Sequence, residues 1–165
     1  MVNQLFPVID GIDPSWADIK VTASPDGAPL IDMNDIASIT GKSTVEVGTR
    51  KGASGGRVMS RTTGEKSDEF SWTLYRTGFQ KLLENLMPLA PTRDDEVLVG
   101  LVHFNIHVQH TPPGSSKIFE YICRGARLLA WNMDHAEGTD ADQVEVPISI
   151  IDFAHLINGK RVVLI

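Results

Sequence analysis

The chain is short of cysteine, of basic charge and of long apolar runs, and each shortage closes off a class of function. Cys123 is the one cysteine in 165 residues, so no intrachain disulfide can form and no cysteine-built zinc site fits within one chain. Beside Tyr121 and Ile122 it is expected as a small buried hydrophobe. With 15 Lys and Arg against 21 Asp and Glu, and a formal net charge of −6, the chain lacks the basic face that grips phosphates. An acidic protein can still surround DNA without holding it. The longest apolar candidate, Val97 to Val102, already contains Gly100 and falls far short of a bilayer span, so no membrane role is expected. Met1 to Pro7 lack a basic stretch followed by an apolar one, so no secretion signal is read there and folding in the cytosol is expected.

What is present is enough for one core. The hydrophobic share of 42% and the length fit a single domain. Residues 1–35 carry Pro7, Pro14, Pro25 and Pro29 with a turn at Pro25-Asp26-Gly27, which reads as an N-terminal arm with one short strand over Trp16 to Val21. Residues 36–165 form the main domain. Ile36 to Val47 is rich in β-branched residues and is expected as a strand. Residues 48–64 contain Gly48, Gly52, Gly55, Gly56 and Gly64 and almost no large apolar side chain, which predicts a long mobile loop. Phe70, Trp72 and Leu74 then alternate with Ser71, Thr73 and Tyr75, the period of a half-buried strand. Further strands are predicted over Val97 to His110, Lys117 to Trp131 and Val144 to Asp152, with Pro112-Pro113-Gly114 turning the first into the second. Arg161 to Ile165 is too apolar for a solvated tail and is expected as a last strand or a docking segment. The single helix is predicted over Thr77 to Leu86, where Phe79, Leu82, Leu83 and Leu86 form one stripe facing the sheet near Trp72. Thr77 and Gln80 would make its capping box, and Pro88 would end it.

Several motifs look chemical and are discounted on context. Gly52-Ala53-Ser54-Gly55-Gly56 matches a nucleophile elbow, but neither a buried strand before it nor a helix after it is expected. Gly41-Lys42-Ser43-Thr44 has the end of a phosphate loop, with Ile36 where its first glycine should be. His103 and His107 would lie about 13 Å apart on a strand, too far to share one ion, so the three histidines including His110 are expected on a solvent face. The acidic run Asp134, Glu137, Asp140, Asp142 and Glu145 lacks the spacing of a calcium loop. No catalytic, cofactor-binding or metal-binding residue is assigned.

One family resemblance does emerge. Gly48-Thr49-Arg50-Lys51-Gly52, then Gly56-Arg57-Val58-Met59-Ser60-Arg61-Thr62-Thr63-Gly64, then Glu69 to Tyr75 and the helix Thr77 to Leu86, resemble in order the phage tail tube proteins, and the likeness extends over residues 36–165. It implies a mainly β fold with one packed helix, a β-sandwich or split β-barrel. It also implies ring oligomers, with six copies per ring and the rings stacked head to tail into a hollow conduit. DNA would pass through the lumen without specific binding, other tail proteins would be partners, and the location would be a virion tail assembled in the host cytoplasm. Glu69, Ser71, Thr73, Glu145 and Ser149, on the polar faces of their strands, are the candidates to line that lumen. Six copies of a −6 chain put −36 into each ring, which lets DNA slide.

Charge is also unevenly spread. Arg50, Lys51, Arg57 and Arg61 fall in one segment without an acidic residue, leaving eleven basic against 21 acidic residues elsewhere, a net of −10. The basic segment is the expected donor of a ring-stacking contact. Asp134, Glu137, Asp140 and Asp142 are the expected acceptor, or failing them Asp94, Asp95 and Glu96. The competing readings are the tube subunit of a secretion system or pyocin-like particle, and a monomeric binding β-sandwich. An enzyme rests only on the two discounted motifs.

Overall fold

The computed structural model describes residues 19–26, 28–53, 58–111, 118–135, 137–138 and 141–164. The elements in order are β1 (Ile19–Pro25), β2 (Ile31–Asp32), β3 (Ile36–Lys51), β4 (Val58–Tyr75), α1 (Arg76–Leu86), β5 (Thr92–Arg93), β6 (Glu96–Val97), β7 (Phe104–His110), β8 (Phe119–Leu128), β9 (Asn132–Asp134), β10 (Gln143–Ser149), β11 (Asp152–Ile157) and β12 (Lys160–Val162). The expected mainly β fold with one α-helix is what the described residues show.

Ten of the strands form one antiparallel sheet that folds over on itself. Its main path runs β2-β1-β7-β8-β10-β4-β3, with β11 and β12 extending from β8 and β9 pairing β10. The fold is made at β8. Leu128 lies opposite Ile148 and Arg124 opposite Asp152, four residues on along either strand, so β10 and β11 are one interrupted partner of β8 in a single register. The interruption falls at Gly125 and Ile151. Gly125 has φ +62°, and two steps of β7, Phe104 to Ile106, face three steps of β8, Ala126 to Cys123. That is a bulge with a left-handed glycine, the device that bends a strand and raises its twist. The freed backbone groups are satisfied: Gly125 N–H donates to Asn105 Oδ1 at 3.2 Å, and Ile151 N–H donates to the Arg124 carbonyl at 2.9 Å.

The bend turns two apolar faces toward each other. Phe70, Trp72 and Leu74 of β4 and Val144, Val146 and Ile148 of β10 face Val21 and Ala23 of β1, Phe104, Ile106 and Val108 of β7, and Cys123 of β8, all buried in one cluster. Trp72 stacks on Phe104 across the two layers, centroids 6.5 Å apart and 19° from parallel, and meets Phe70 edge-on at 5.9 Å. Such pairs add to the burial of area itself.

The helix closes this core with Phe79, Leu82 and Leu86, while Leu83 is only half-buried. Its expected capping box is absent. Tyr75 occupies the N-cap without a side-chain bond, Thr77 Oγ1 donates instead to Asp35 Oδ2 at 3.1 Å, and Gln80 Nε2 donates to Glu84. A helix that follows a strand without a turn has its first amides beside other chain, here the segment before β3, and Tyr75 N–H bonds the Asp35 carbonyl at 3.0 Å.

Four boundaries differ from expectation. The segment expected as an arm supplies β1 and β2 to the sheet, because Val21 and Ala23 alternate with polar residues and their small side chains give a weak apolar signal. Residues 48–51 and 58–64 are strand and not loop: Gly48 pairs with Thr62, Thr49 with Arg61 and Arg50 with Ser60, so β3 and β4 make one long hairpin, of which residues 54–57 lie outside the described set. The strand expected from Val97 begins only at Phe104, after a 3-10 turn over Val99–Leu101. The strand expected over Val144 to Asp152 is the pair β10 and β11, split by the bend. The end of the chain does supply a strand, β12, after the Asn158-Gly159 turn with φ of 51° and 73°.

Two stability differences follow. A Cβ at Gly125 would lie 2.4 Å from Ile151 Cδ1, whereas one at Gly159 would meet nothing within 4 Å. Both positions carry the left-handed penalty of about 1–2 kcal/mol, so Gly125→Ala is expected to lower stability in urea titrations clearly more than Gly159→Ala; equal losses would contradict the bend. Leu82→Ala is expected to cost about 2–5 kcal/mol, with a smaller loss at Leu83→Ala.

Candidate functional site

Two surfaces hold the residues singled out by sequence, and four of them, Glu69, Ser71, Glu145 and Ser149, line a concavity of about 470 Å³. The first is the β3–β4 hairpin. Beyond residue 66 toward its tip, the two strands pair with each other and with no other strand among the described residues. Alternation along Thr44–Lys51 buries nothing fully, so the ladder of backbone hydrogen bonds carries this arm.

Its root is fixed by a cluster that sequence reasoning missed. Ser43 Oγ donates to Asp68 Oδ1, Phe153 N–H donates to Asp68 Oδ2 at 3.2 Å, and Lys66 Nζ lies 3.1 Å from Asp68 and 3.5 Å from Asp152. Arg161 of β12 pairs with the same Asp152. The cluster thus ties both strands of the hairpin to β11 and β12. Burial pushes the Asp68 carboxyl up, but the hydrogen bonds from Ser43, Lys66 and Phe153 and the charge of Lys66 outweigh it and hold the group below the usual carboxylate value. Polar residues spaced two apart on a strand look like solvent-facing ones, so no signal in the sequence marked Lys66 and Asp68.

At the tip, Arg50, Lys51 and Arg61 are exposed, and the pairing of Thr49 with Arg61 and Arg50 with Ser60 puts Arg50 and Arg61 in successive pairs, on opposite faces of the ribbon. Arg57 lies outside the described residues. The acidic residues lie at the other end of β4. Gln143 pairs with Tyr75 and Asp134 pairs with Gln143, so the acidic run sits where β4 enters α1. Seventeen residues separate that end from the start of β4, roughly 55 Å of extended strand at ~3.3 Å per residue. Asp134 and Glu137 are exposed, and Asp140 lies outside the described residues. Asp142 is already engaged within the chain, 3.1 Å from His135 Nδ1 and 3.8 Å from Arg76 Nη1. Asp94, Asp95 and Glu96 are exposed on the tight β5–β6 turn, where Glu96 pairs with Arg93.

The second surface is the outer face of β10, β4 and β3. Glu145 lies opposite Thr73, and Ser71 opposite Pro147; Thr73 faces Ser38, Ser71 faces Thr40 and Glu69 faces Lys42 across the next pair. Since Phe70, Trp72, Leu74, Val144, Val146 and Ile148 point inward, all five lumen candidates, Glu69, Ser71, Thr73, Glu145 and Ser149, share one outward face. It is rich in hydroxyls and carries a single lysine in these rows.

One of the two discounted motifs falls among the described residues. Gly41-Lys42-Ser43-Thr44 lies inside β3 with no helix after it, and Ser43 is spent on Asp68. Of the elbow-like stretch, residues 54–56 lie outside the described set. Among the described residues no group of three His, Cys, Asp or Glu could hold a metal, and no helix is long and apolar enough to cross a membrane. The expectation for His110 is corrected: it shares the face of Phe104, Ile106 and Val108 and is 6% exposed. That parity was readable. His107 and His103 stand on the opposite parity, His107 3.5 Å from Glu120. Cys123 is buried as expected, its thiol pushed up to about 12 by burial and by the charge of Asp68.

Comparisons with known proteins speak to the fold. No family model matches the sequence, and no curated protein matches it. Solved structures do match. A chain of an extracellular contractile injection system, in the PVC sheath/tube terminator in the extended state, superposes with a TM-score of 0.64 at 9% identity, covering 91% of this chain and 100% of the other. A chain of the SPP1 tail tube gives 0.61 at 12% identity, covering 87% and 78%. A crystal structure of an Hcp protein gives 0.53 at 11% identity, covering 87% and 93%. The chain therefore has the fold found in tail tubes and in contractile injection systems.

The cluster at the hairpin root has a pH signature. A carboxyl held below its unfolded value of about 3.9 contributes stability above that value and loses it as pH falls through the folded one. Asp68→Asn is therefore expected to lower stability at pH 7 by about 1–3 kcal/mol, with the gap to the native chain closing below about pH 4. A gap that persists unchanged at pH 3 would contradict this.

Proposed function

We propose that the chain is the subunit of a phage tail tube, closing six to a ring, the rings stacking head to tail into a conduit through which DNA moves without specific binding. The observation that carries this reading is the placement of charge: the exposed basic tip and the acidic residues beside α1 stand at opposite ends of β4. A contact that joins two different patches can propagate without closing on itself, which is what stacking requires. Arg50, Lys51, Arg57 and Arg61 are the proposed donors, and Asp134, Glu137 and Asp140 the acceptors, with Asp142 contributing less because Arg76 and His135 already share it.

Two further features support the reading. The five lumen candidates share one polar face, suited to a wall that water and DNA touch. And β3 is a free edge of 16 residues among the described strands. An edge of that length invites pairing unless something covers it, and a neighbouring copy would do so around a ring. In this role the protein works in a virion tail, assembled in the host cytoplasm beside other tail proteins.

The fold shared with an injection-system chain favours a second reading, the tube of a contractile secretion or pyocin-like particle. Particles from a producing culture separate the two: DNA-filled heads joined to the tubes fit a phage tail, and headless sheathed particles fit the second.

Negative-stain microscopy tests the shared core of both. Rings or tubes are expected at high concentration, and a strict monomer would point to a binding β-sandwich instead. Reversing Arg50 and Arg61 to glutamate is expected to leave the subunit folded by circular dichroism while blocking tube growth. Exposed ion pairs are worth only ~0–1 kcal/mol each, so the effect relies on several repeated around a ring; tubes of normal length from the double variant, at low and high salt, would refute charge-driven stacking.

A further inference from the structure

The ladder of the β3–β4 hairpin is broken at one defined height. Gly41 pairs with Phe70, Ser43 with Asp68 and Val45 with Lys66, two steps on each strand, but the next pair is Val47 with Thr63, two steps of β3 against three of β4. Gly64 and Glu65 thus face the single residue Glu46, which is a β-bulge. Bulges leave part of the ladder unpaired, bend the strand and increase its twist. At Gly64 the two backbones come so close that an added Cβ would fall on the Glu46 carbonyl. The φ of Gly64 lies outside the left-handed region, so what this position demands is space, the mark of a close backbone approach. Gly48, farther out, differs: a Cβ there would meet only the end of the Thr62 side chain, which can turn away.

The bulge falls on a boundary. On its inner side Lys66 lies 3.5 Å from Asp152, Asp68 accepts from the Phe153 amide, and Gly41 lies against the Phe153 ring, where an added Cβ would be 3.0 Å from it. On its outer side the two strands pair only with each other among the described residues. We propose that the Gly64 bulge is the joint of the hairpin: it sets the direction in which the outer ladder, with Arg50 and Arg61, leaves the body, while the cluster at Asp68 holds the part below it. A side chain at position 64 has to push the Glu46 carbonyl aside, and because the inner part is bonded to β11, the outer part is what moves. From Thr63 to Val58 roughly 17 Å of β4 lie beyond the joint at ~3.3 Å per residue, so a small change of angle displaces the tip by several ångström. The joint is a property of the single chain and does not depend on the tube reading.

The test is a pair of distance measurements by pulsed electron spin resonance on the dilute full chain. Labels at Ser60→Cys and Glu84→Cys report the distance from the outer ladder to α1, and labels at Ser67→Cys and Glu84→Cys report it from the root to α1. All three positions are exposed, and the native Cys123 is buried and stays unlabelled. Gly64→Ala is expected to shift the first distance by several ångström and to leave the second where it was. Removing Glu65 makes the count two steps against two, so it takes out the bend while every pair on either side can be kept, and it is expected to move the first distance as well. An unchanged outer distance in either variant, or a root distance that moves as much as the outer one, would overturn the proposal.

Discussion

Everything in this fold hangs on β8 pairing with two partners while it bends. On one side it keeps β7; on the other it passes from β11 to β10 without losing register. A sheet of ten strands with one apolar face is unstable in water when flat, since that face has no cover. Bending it back through the bulge at Gly125 lets the two halves cover each other, at a spacing that Trp72 and Phe104 fill. The bend needs a residue free to take a left-handed backbone conformation next to Ile151, and it needs an acceptor for the freed amide, which Asn105 supplies.

The hairpin poses the opposite problem. It projects beyond the core, so hydrophobic burial does little for its outer half, and its orientation depends on how its root is held. Asp68 gathers Ser43, Lys66 and the Phe153 amide in a place with little solvent, and Asp152 links Lys66 to Arg161. Charges with several hydrogen-bonding partners in a partly buried site hold geometry far better than exposed pairs do. A root held by several bonds places the basic tip at a defined distance from the acidic end of the same chain.

Much of the fold was legible before any coordinates. Period-two alternation marked Phe70 to Tyr75, Phe104 to Val108 and Val144 to Ile150, and a stripe with a following proline marked α1. What stayed hidden has a common cause. Among residues 48–64 no described side chain is fully buried, so the paired stretches carry no hydrophobic period and read as a loop. Val21 and Ala23 are too small to stand out against the prolines around them. His110 was misassigned although its parity with Phe104, Ile106 and Val108 was on view, because three histidines in one stretch drew attention to chemistry instead of phase. The five lumen candidates were grouped by alternation alone, and cross-strand register joins them on one face. No comparable cue existed for Lys66, Asp68, Asp152 and Arg161, whose meeting needs two hairpins distant in sequence.

By itself the sequence determined the class of the fold, the core-facing positions of β4, β7 and β10 except His110, the helix α1 and the excess of positive charge in one segment, because each is a local pattern repeated within a few residues. Only the tertiary structure decided that Arg50, Lys51 and Arg61 stand at the outer end of a paired hairpin, that the acidic run stands at the far end of the same strand, and that the sheet bends through Gly125. Those facts are set by which strands pair and in what register. Pairing is a competition among distant segments for backbone hydrogen bonds and core space, and no local pattern records its outcome.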